Sequence, residues 1–201
     1  MGKIIVTELA TLDGVFEDPA GIEGFEFGGW ALDVDQGEEG RRIKVDEIFD
    51  AEALLFGRIT YESQLHAWEL RSEEDMGLSA KAMSLPRYVV SSTMEDPDDP
   101  NVTVLRGNVV AQVAMLKESV PGTILVPGSS QLVRTLFEET LLDEMRVMVY
   151  PKLLGAGKPL FPPETTRRPM RLAHGDTLGA GIAYFVFVPR EPTPEEQAQG
   201  L

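Results

Sequence analysis

Three short segments combine residue types suited to holding an anion: Gly57-Arg58-Ile59-Thr60, Ser91-Ser92-Thr93 and Gly128-Ser129-Ser130. Each closes an apolar, strand-like run, and each reads as leading directly into a helix. The first amides of a helix lack intrahelical partners, and the helix dipole adds partial positive charge there. Glycine lets a ligand approach the backbone closely, and Ser or Thr hydroxyls add donors. Arg58 adds a full positive charge. Strand C-termini are also where open α/β sheets bind their ligands. Three such turns on successive strands therefore point to an anionic, phosphate-like ligand. The competing reading is ordinary structure. Ser before an apolar helix usually caps it, and an arginine at a helix start is usually a surface group.

Other candidates carry less. Asp13 reads either as a catalytic or orienting carboxylate or as the polar half of an Asp-Gly turn. Trp30, after Gly28-Gly29, together with Tyr61 and Trp68, could wall a substrate pocket that stacks a flat heterocycle. Trp68 also continues a helical stripe with Tyr61 and Leu65, which favours the core. His66 and His174 have no triad or ligand pattern near them. With two histidines and no cysteine, disulfides and thiolate sites are excluded and a multi-histidine metal centre is not expected. No G-x-G-x-x-G follows the first strand and no G-x-S-x-G elbow occurs. Gly155-Ala156-Gly157-Lys158 runs into Pro159 where a P-loop needs Ser or Thr.

At 201 residues the chain is sized for one domain. Its 43% hydrophobic and 25% charged content is that of a globular protein. A formal net charge of −15 argues against nucleic acid and anionic lipid as partners. No run approaches the roughly 18–20 apolar residues of a membrane span, and an acidic residue, Glu8, interrupts any signal-peptide pattern. A soluble cytoplasmic domain is expected.

The elements that must position these turns follow from periodicity. Residues 3–10, 53–57, 88–91, 102–105 and 123–126 are short, apolar and β-branched, and read as strands. Helices are expected over 36–50, with Val45, Ile48 and Phe49 on one side, over 58–68, from Asn108 as cap to about 116, and over 132–137. Residues 11–31 are too rich in glycine for a helix and read as a long functional loop. Residues 71–85 are polar and only partly helical in pattern. From 146 onward, strands at 146–150, 170–174 and 182–188 follow one another with no helix between. The first part predicts a parallel sheet and the last antiparallel strands added to its edge, in an α/β domain over residues 1–188. Residues 189–201 read as a frayed polar tail.

The chain resembles the dihydrofolate reductase-like superfamily, and within it the branch of the bacterial riboflavin-biosynthesis reductase domain. The stretches that carry the resemblance are Thr11-Leu12-Asp13-Gly14-Val15, Leu54 to Glu62, Tyr88 to Ser92, Val126 to Leu136, Asp143-Glu144, and Tyr150 to Phe161. It implies a three-layer fold with a mostly parallel central sheet, and an NADPH-dependent reductase. Its cofactor contacts would fall on Leu12, Gly14, Val15, Gly57, Arg58, Thr60, Ser91, Ser92, Gly128, Ser129, Ser130, Gln131 and Leu132. Arg58 would face the adenosine 2′-phosphate, helped by Ser91 and Ser92. Thr60 and the amides of 128–131 would cradle the pyrophosphate, and Leu12 to Val15 would lie along the nicotinamide.

One family feature is missing. Folate-reducing members carry a carboxylate on the helix after the first loop, but Gly40 to Lys44 holds none here, and Asp33, Asp35 and Asp46 are off its spacing. Reduction of a small heterocyclic or ribosylamino substrate, resembling 5-amino-6-(5-phosphoribosylamino)uracil, therefore fits better than folate reduction. A nucleotide-binding domain without turnover is the alternative. Tyr184, Phe185 and Phe187 load both faces of the last strand with aromatic surface, and the resembled branch tends to dimerise. A homodimer through the C-terminal strands is the expected assembly.

Overall fold

The computed structural model describes residues 1–71, 77–163 and 165–198. Among these, eight strands form one sheet: β1 (Lys3–Thr11), β2 (Ala51–Gly57), β3 (Arg87–Val90), β4 (Val102–Leu105), β5 (Thr123–Val126), β6 (Glu144–Tyr150), β7 (Met170–Leu178) and β8 (Ile182–Pro189). The helices are α1 (Gly37–Phe49), α2 (Arg58–Arg71), α3 (Leu78–Ser84), α4 (Val109–Ser119), α5 (Ser130–Glu138) and α6 (Pro194–Ala198). None of the described helices is long and apolar enough to cross a membrane.

The spatial order is β4-β3-β2-β5-β1-β6-β8-β7. The first six strands are parallel, and β8 and β7 add antiparallel to β6. The sequence pattern groups 146–150 with the antiparallel strands. In the structure β6 runs parallel to β1, because α5 carries the chain back across the sheet before β6 begins. Antiparallel pairing starts one strand later.

Alternation along the strands divides the core. Ile4, Val6, Ala53, Leu55, Ile124 and Val126 face α4 and α5. Ile5, Leu54, Phe56 and Leu125 face α1, α2 and α3. A third cluster, with Trp30, Met148, Tyr150 and Tyr184, fills the space near the β6–β8 end. The central strands β1, β2 and β5 are buried on both faces, so their sequences are nearly continuously apolar rather than alternating.

The topology creates one gap. From β1 the chain crosses to β2 by way of α1; from β5 it crosses to β6 by way of α5. These two adjacent strands therefore send their connections in opposite directions, and the helices lie on opposite faces. That is a topological switch point, where open sheets have a crevice beyond the strand ends. Here β1 outruns its neighbour: pairing with β5 ends at Val6↔Val126, while pairing with β6 continues to Thr11↔Tyr150.

Several local expectations are corrected. Asn108 does cap α4, its side chain accepting the Ala111 amide. Phe49, expected on the buried face of α1, is 48% exposed, and Ile48 and Glu47 are the buried residues. Ser91-Ser92-Thr93 leads into a loop that runs on to β4, not into a helix. In the segment 71–85, α3 occupies Leu78–Ser84, while 72–76 lie outside the described residues. The expected tail carries α6, since Thr193 and Glu196 form a reciprocal capping box and Arg190 pairs with Glu196. Residues 199–201 lie outside the described residues.

At the sheet edge, Arg87 is only 1% exposed. Its Nη2 donates to Asp99 at 2.7 Å and to the Met83 carbonyl at 2.9 Å, tying β3 to α3 and to the turn before β4. Asp99→Ala leaves that buried cation without its anion. Because Asp99 itself is about a third exposed, the expected loss is about 2–3 kcal/mol, at or below the low end for a broken buried pair. Arg87→Met, which removes the charge as well, should cost less. Calorimetric unfolding of the two variants checks the order.

Candidate functional site

The six parallel strands all end on one side of the sheet, and the turns singled out from sequence meet there. A cleft of about 460 Å³ opens between them. Gly57, Arg58, Ser91, Ser92, Ser129, Gln131 and Leu132 line it, all of them expected residues, and Thr93, Arg106 and Gly107 complete its polar wall.

Its geometry depends on two glycines. Gly57 approaches Ser129 so closely that a Cβ there would stand 2.3 Å from Ser129 Oγ. Gly128 has φ +95°, and a Cβ on it would lie 3.1 Å from Thr60 Cγ2. The two turns are thus packed closely, the Gly57 backbone against the Ser129 side chain and the Gly128 backbone against the Thr60 side chain. Ser129, also at positive φ (89°), starts α5 without capping it by its side chain. A non-glycine residue held there stores strain of order 1–3 kcal/mol. The capping interpretation of Ser129 is therefore wrong in this fold, and the leading amides of α5 are left available to a ligand. Ser130 begins the helix but is not a wall of the cleft.

Arg58 stands at the first turn of α2, 41% exposed, with Nη1 3.0–3.1 Å from both Glu62 carboxylate oxygens. An exposed i,i+4 pair contributes only about 0.3–0.5 kcal/mol, so the guanidinium is easily exchanged to another anion. Arg106, between β4 and α4, pairs with Asp96 at 2.8 Å and is equally exposed. Ser91 Oγ accepts the amides of Thr93 and Met94, which orders that turn and leaves its hydroxyl proton free to donate. Sequence reasoning missed Arg106, although Leu105-Arg106-Gly107-Asn108 repeats the strand–turn–helix signal used for the other turns.

The first loop is built separately. Leu12 is 66% exposed, and its amide donates to the Lys152 carbonyl. Gly14 takes φ +80° and its carbonyl accepts the Leu160 amide, while Val15 bridges to Pro159. Asp13 Oδ1 accepts Thr11 Oγ1 at 2.5 Å, and Oδ2 accepts the Leu154 and Gly155 amides at 3.1 and 2.7 Å. The Thr11 hydroxyl first, and then the Gly155 amide, hold its carboxyl below the usual range. Such a group fastens the loop and is a poor proton donor. The turn reading of Asp13 replaces the catalytic one.

The aromatic residues do not wall the cleft. Tyr61 and Trp68 are 3% and 4% exposed and pack on Phe56. Trp30 is 3% exposed, lies edge-on to Tyr150 at 5.3 Å and donates Nε1 to the Glu17 carbonyl. Flat apolar side chains on these helices and this loop gain more from the three cores than from a solvated pocket. Of the acids considered near α1, Asp33 pairs with Lys152, Asp35 with Arg41 and Asp46 with Arg42. The acid buried on α1 is Glu47, at 3% exposure, accepting from Thr7 Oγ1 (2.9 Å) and Lys44 Nζ (3.1 Å).

A second buried acid lies on the opposite face of β1. Glu8 follows Val6 by two residues and so faces α5, level with the turn after β5. It is 7% exposed, and its Oε1 has no hydrogen-bond partner. That atom lies 3.8 Å from where a Cβ on Gly128 would stand. Leaving a buried carboxyl oxygen unpaired costs about 1–3 kcal/mol. Burial pushes the carboxyl up to about 8, against the opposing pull of Lys44. The available signal was a charged residue inside the apolar run of residues 3–10.

Comparison with known proteins fits this geometry. Residues 2–184 match the RibD C-terminal domain family. The chain belongs to that family. It is 26% identical over 189 residues to YyaP of Bacillus subtilis, an uncharacterized protein, spanning 92% of this chain and 94% of YyaP. A solved protein of Shewanella sp. PV-4, provisionally assigned to riboflavin biosynthesis, superposes with TM-score 0.73 at 21% identity, over 94% of this chain and 99% of that one. RibD of Acinetobacter baumannii gives TM-score 0.64 at 16% identity, over 95% of this chain and 59% of RibD. The fold is a dihydrofolate reductase-like one, shared with these two solved structures.

Gly128→Ala tests the packed turns. It forces a Cβ against Thr60 at positive φ, a conformation costing about 1–2 kcal/mol for an L-residue. The melting temperature should fall by about 3–8 °C, as scanning calorimetry would show.

Proposed function

We propose that this chain is a cytoplasmic, NADPH-dependent reductase acting on a small heterocyclic or ribosylamino substrate. One observation carries the reading: an anion-binding cleft at the C-terminal strand ends, with two exchangeable arginines and an uncapped helix start. Backbone amides, hydroxyls and guanidinium groups are the donor set that phosphate groups require. The glycines at 57 and 128 leave the backbone approachable. A dinucleotide phosphate therefore fits the residues present, with the amides of 129–132 and Thr60 holding the pyrophosphate. Arg58, Arg106, Ser91 and Ser92 would take the 2′-phosphate. When bound, the reduced nicotinamide supplies hydride. The chain supplies positioning, exclusion of water and a place for the proton.

Family membership supports the reductase class without fixing the substrate, because one fold hosts different chemistries. A second reading, a nucleotide-binding domain without turnover, draws on Glu47. That acid of α1 is already engaged by Thr7 and Lys44, so folate-type use of an α1 carboxylate is not supported.

NADPH at a hundred times its Kd should stabilise the protein by about 2.7 kcal/mol, a rise of about 5–10 °C in melting temperature. NADH should do less. Arg58→Ala should shrink the NADPH preference by about 1.5–3 kcal/mol, and Arg106→Ala should act the same way. An unchanged ratio in either variant removes that arginine from the 2′-phosphate. Loss of NADPH absorbance with 5-amino-6-(5-phosphoribosylamino)uracil or dihydrofolate then separates a reductase from a binder, and one substrate from the other.

The homodimer is proposed on a separate surface. An apolar groove of about 670 Å³ lies along β6 and β8, lined by Met145, Val147, Val149, Phe185 and Phe187 and rimmed by Arg168. Apolar surface of this kind left open by a chain's own helices marks an interface, and a two-fold copy is the commonest cover. Light scattering at physiological salt should give twice the 22.1 kDa chain mass; the single-chain mass across the micromolar range rejects the dimer.

A further inference from the structure

We propose that Glu8 is a catalytic acid, presenting a protonated carboxyl to the substrate's heteroatom in the crevice between β1 and β5. The inference rests on the reductase reading above. Three independent features of geometry support it. Pairing between β1 and β5 stops at Val6↔Val126, so Glu8 stands just beyond the end of β5, at the switch point. Its neighbour there is Gly128, whose missing side chain leaves Oε1 facing the turn that starts α5. Among the described residues Oε1 has no hydrogen-bond partner although Glu8 is buried. Glu47, against the other face of the same strand, also has a buried Oε1 without a hydrogen bond, but its Oε2 accepts from Thr7 and Lys44 and Arg146 lies 3.6 Å from its Oε1. Among the described residues Glu8 has no such ion pair.

The chemistry needs such a group. Two-electron reduction of a C=N or C=O bond by a reduced nicotinamide places hydride on carbon and one proton on the nitrogen or oxygen. The O–H bond of Glu8 breaks as the new N–H or O–H bond forms. The bonding pair stays on the carboxylate, which regains a proton from water after product leaves. The charged group acting on Glu8 is the Lys44 ammonium of α1, held by Glu47 with Arg146 behind it. Gly128, its neighbour from the β5–α5 turn, and Thr60 of α2, which lies against Gly128, are uncharged. Burial outweighs Lys44, so the acid form persists through neutral pH and is lost as pH rises through about 8.

The test is a ¹³C-carboxyl NMR titration of the full-length protein, with Glu8→Gln identifying the resonance. One carboxyl should titrate near pH 8 and vanish in the variant. Folding raises this pKa, so wild type should lose melting temperature relative to Glu8→Gln between about pH 5 and 9 and match it below pH 5. With 5-amino-6-(5-phosphoribosylamino)uracil, kcat should fall about 100-fold or more in Glu8→Gln, with the Kd for NADPH within about twofold. A Glu8 carboxyl titrating below pH 6 overturns the proposal, and so does a variant that keeps kcat and its alkaline limb. A wild type that neither binds NADPH nor turns over fails the reductase reading instead. The titration still decides whether Glu8 holds its proton.

Discussion

The arrangement of this molecule depends on the separation of β1 from β5 beyond Val6 and Val126. Up to that pair the two strands share a ladder and a common core. Past it β5 turns away through Pro127 and Gly128 into α5, while β1 continues along β6 for five more residues, Thr7 to Thr11. The split follows from connectivity: two right-handed crossovers leaving in opposite directions cannot both cover the same gap. What fills the gap is backbone with little side chain. Gly57 stands there too close to the Ser129 side chain for any Cβ, and Gly128 takes a positive φ with Thr60 tight against it. The opening of α5 is left uncapped as a direct result.

Electrostatics reinforce this locally and oppose it globally. The chain carries a formal charge of −15, so a phosphate-bearing ligand meets net repulsion at long range, screened within roughly 8–10 Å at ordinary salt. Close in, the cleft presents two guanidinium groups and a helix start. Both arginines are parked on exposed carboxylates, Glu62 and Asp96, and such pairs are weak enough to yield to a better anion. The buried charges behave differently. Arg87 with Asp99, and Glu47 with Lys44, Thr7 and Arg146, are fixed partners that hold strands to helices. Glu8 differs from them: like Glu47 it has a buried Oε1 without a hydrogen bond, but among the described residues no arginine or lysine forms an ion pair with it.

Much of this was legible from local pattern. The apolar runs became strands within a residue or two, except that the one expected over 170–174 continues to Leu178. Asn108 capped its helix, and the turns at 57–58, 91–92 and 129–132 converged on one cleft. These features are local consequences of β-branched content, helix periodicity and glycine chemistry, so order along the chain is enough to find them. The errors have one origin as well. Residue type and local pattern offer Trp30 and Tyr61 to a pocket and leave Trp68 open between core and pocket and Asp13 between turn and chemistry, because they do not say what lies opposite. Packing put the aromatic rings in the cores, and amides from the distant loop at 154–155 claimed Asp13.

By itself, then, the sequence determined the parallel α/β order and the strand-end turns that line one cleft, and its lack of cysteine excludes disulfides and thiolate sites. Only the tertiary structure decided that β6 is parallel, that Arg106 joins Arg58 at the cleft, and that Glu8 lies unpaired beside Gly128. The reason is the range of the interactions. A strand's apolar face or a helix cap is set by neighbours a few residues away. The surroundings of Glu8 are set by Gly128 and Lys44, which the chain brings near it only after the sheet has formed.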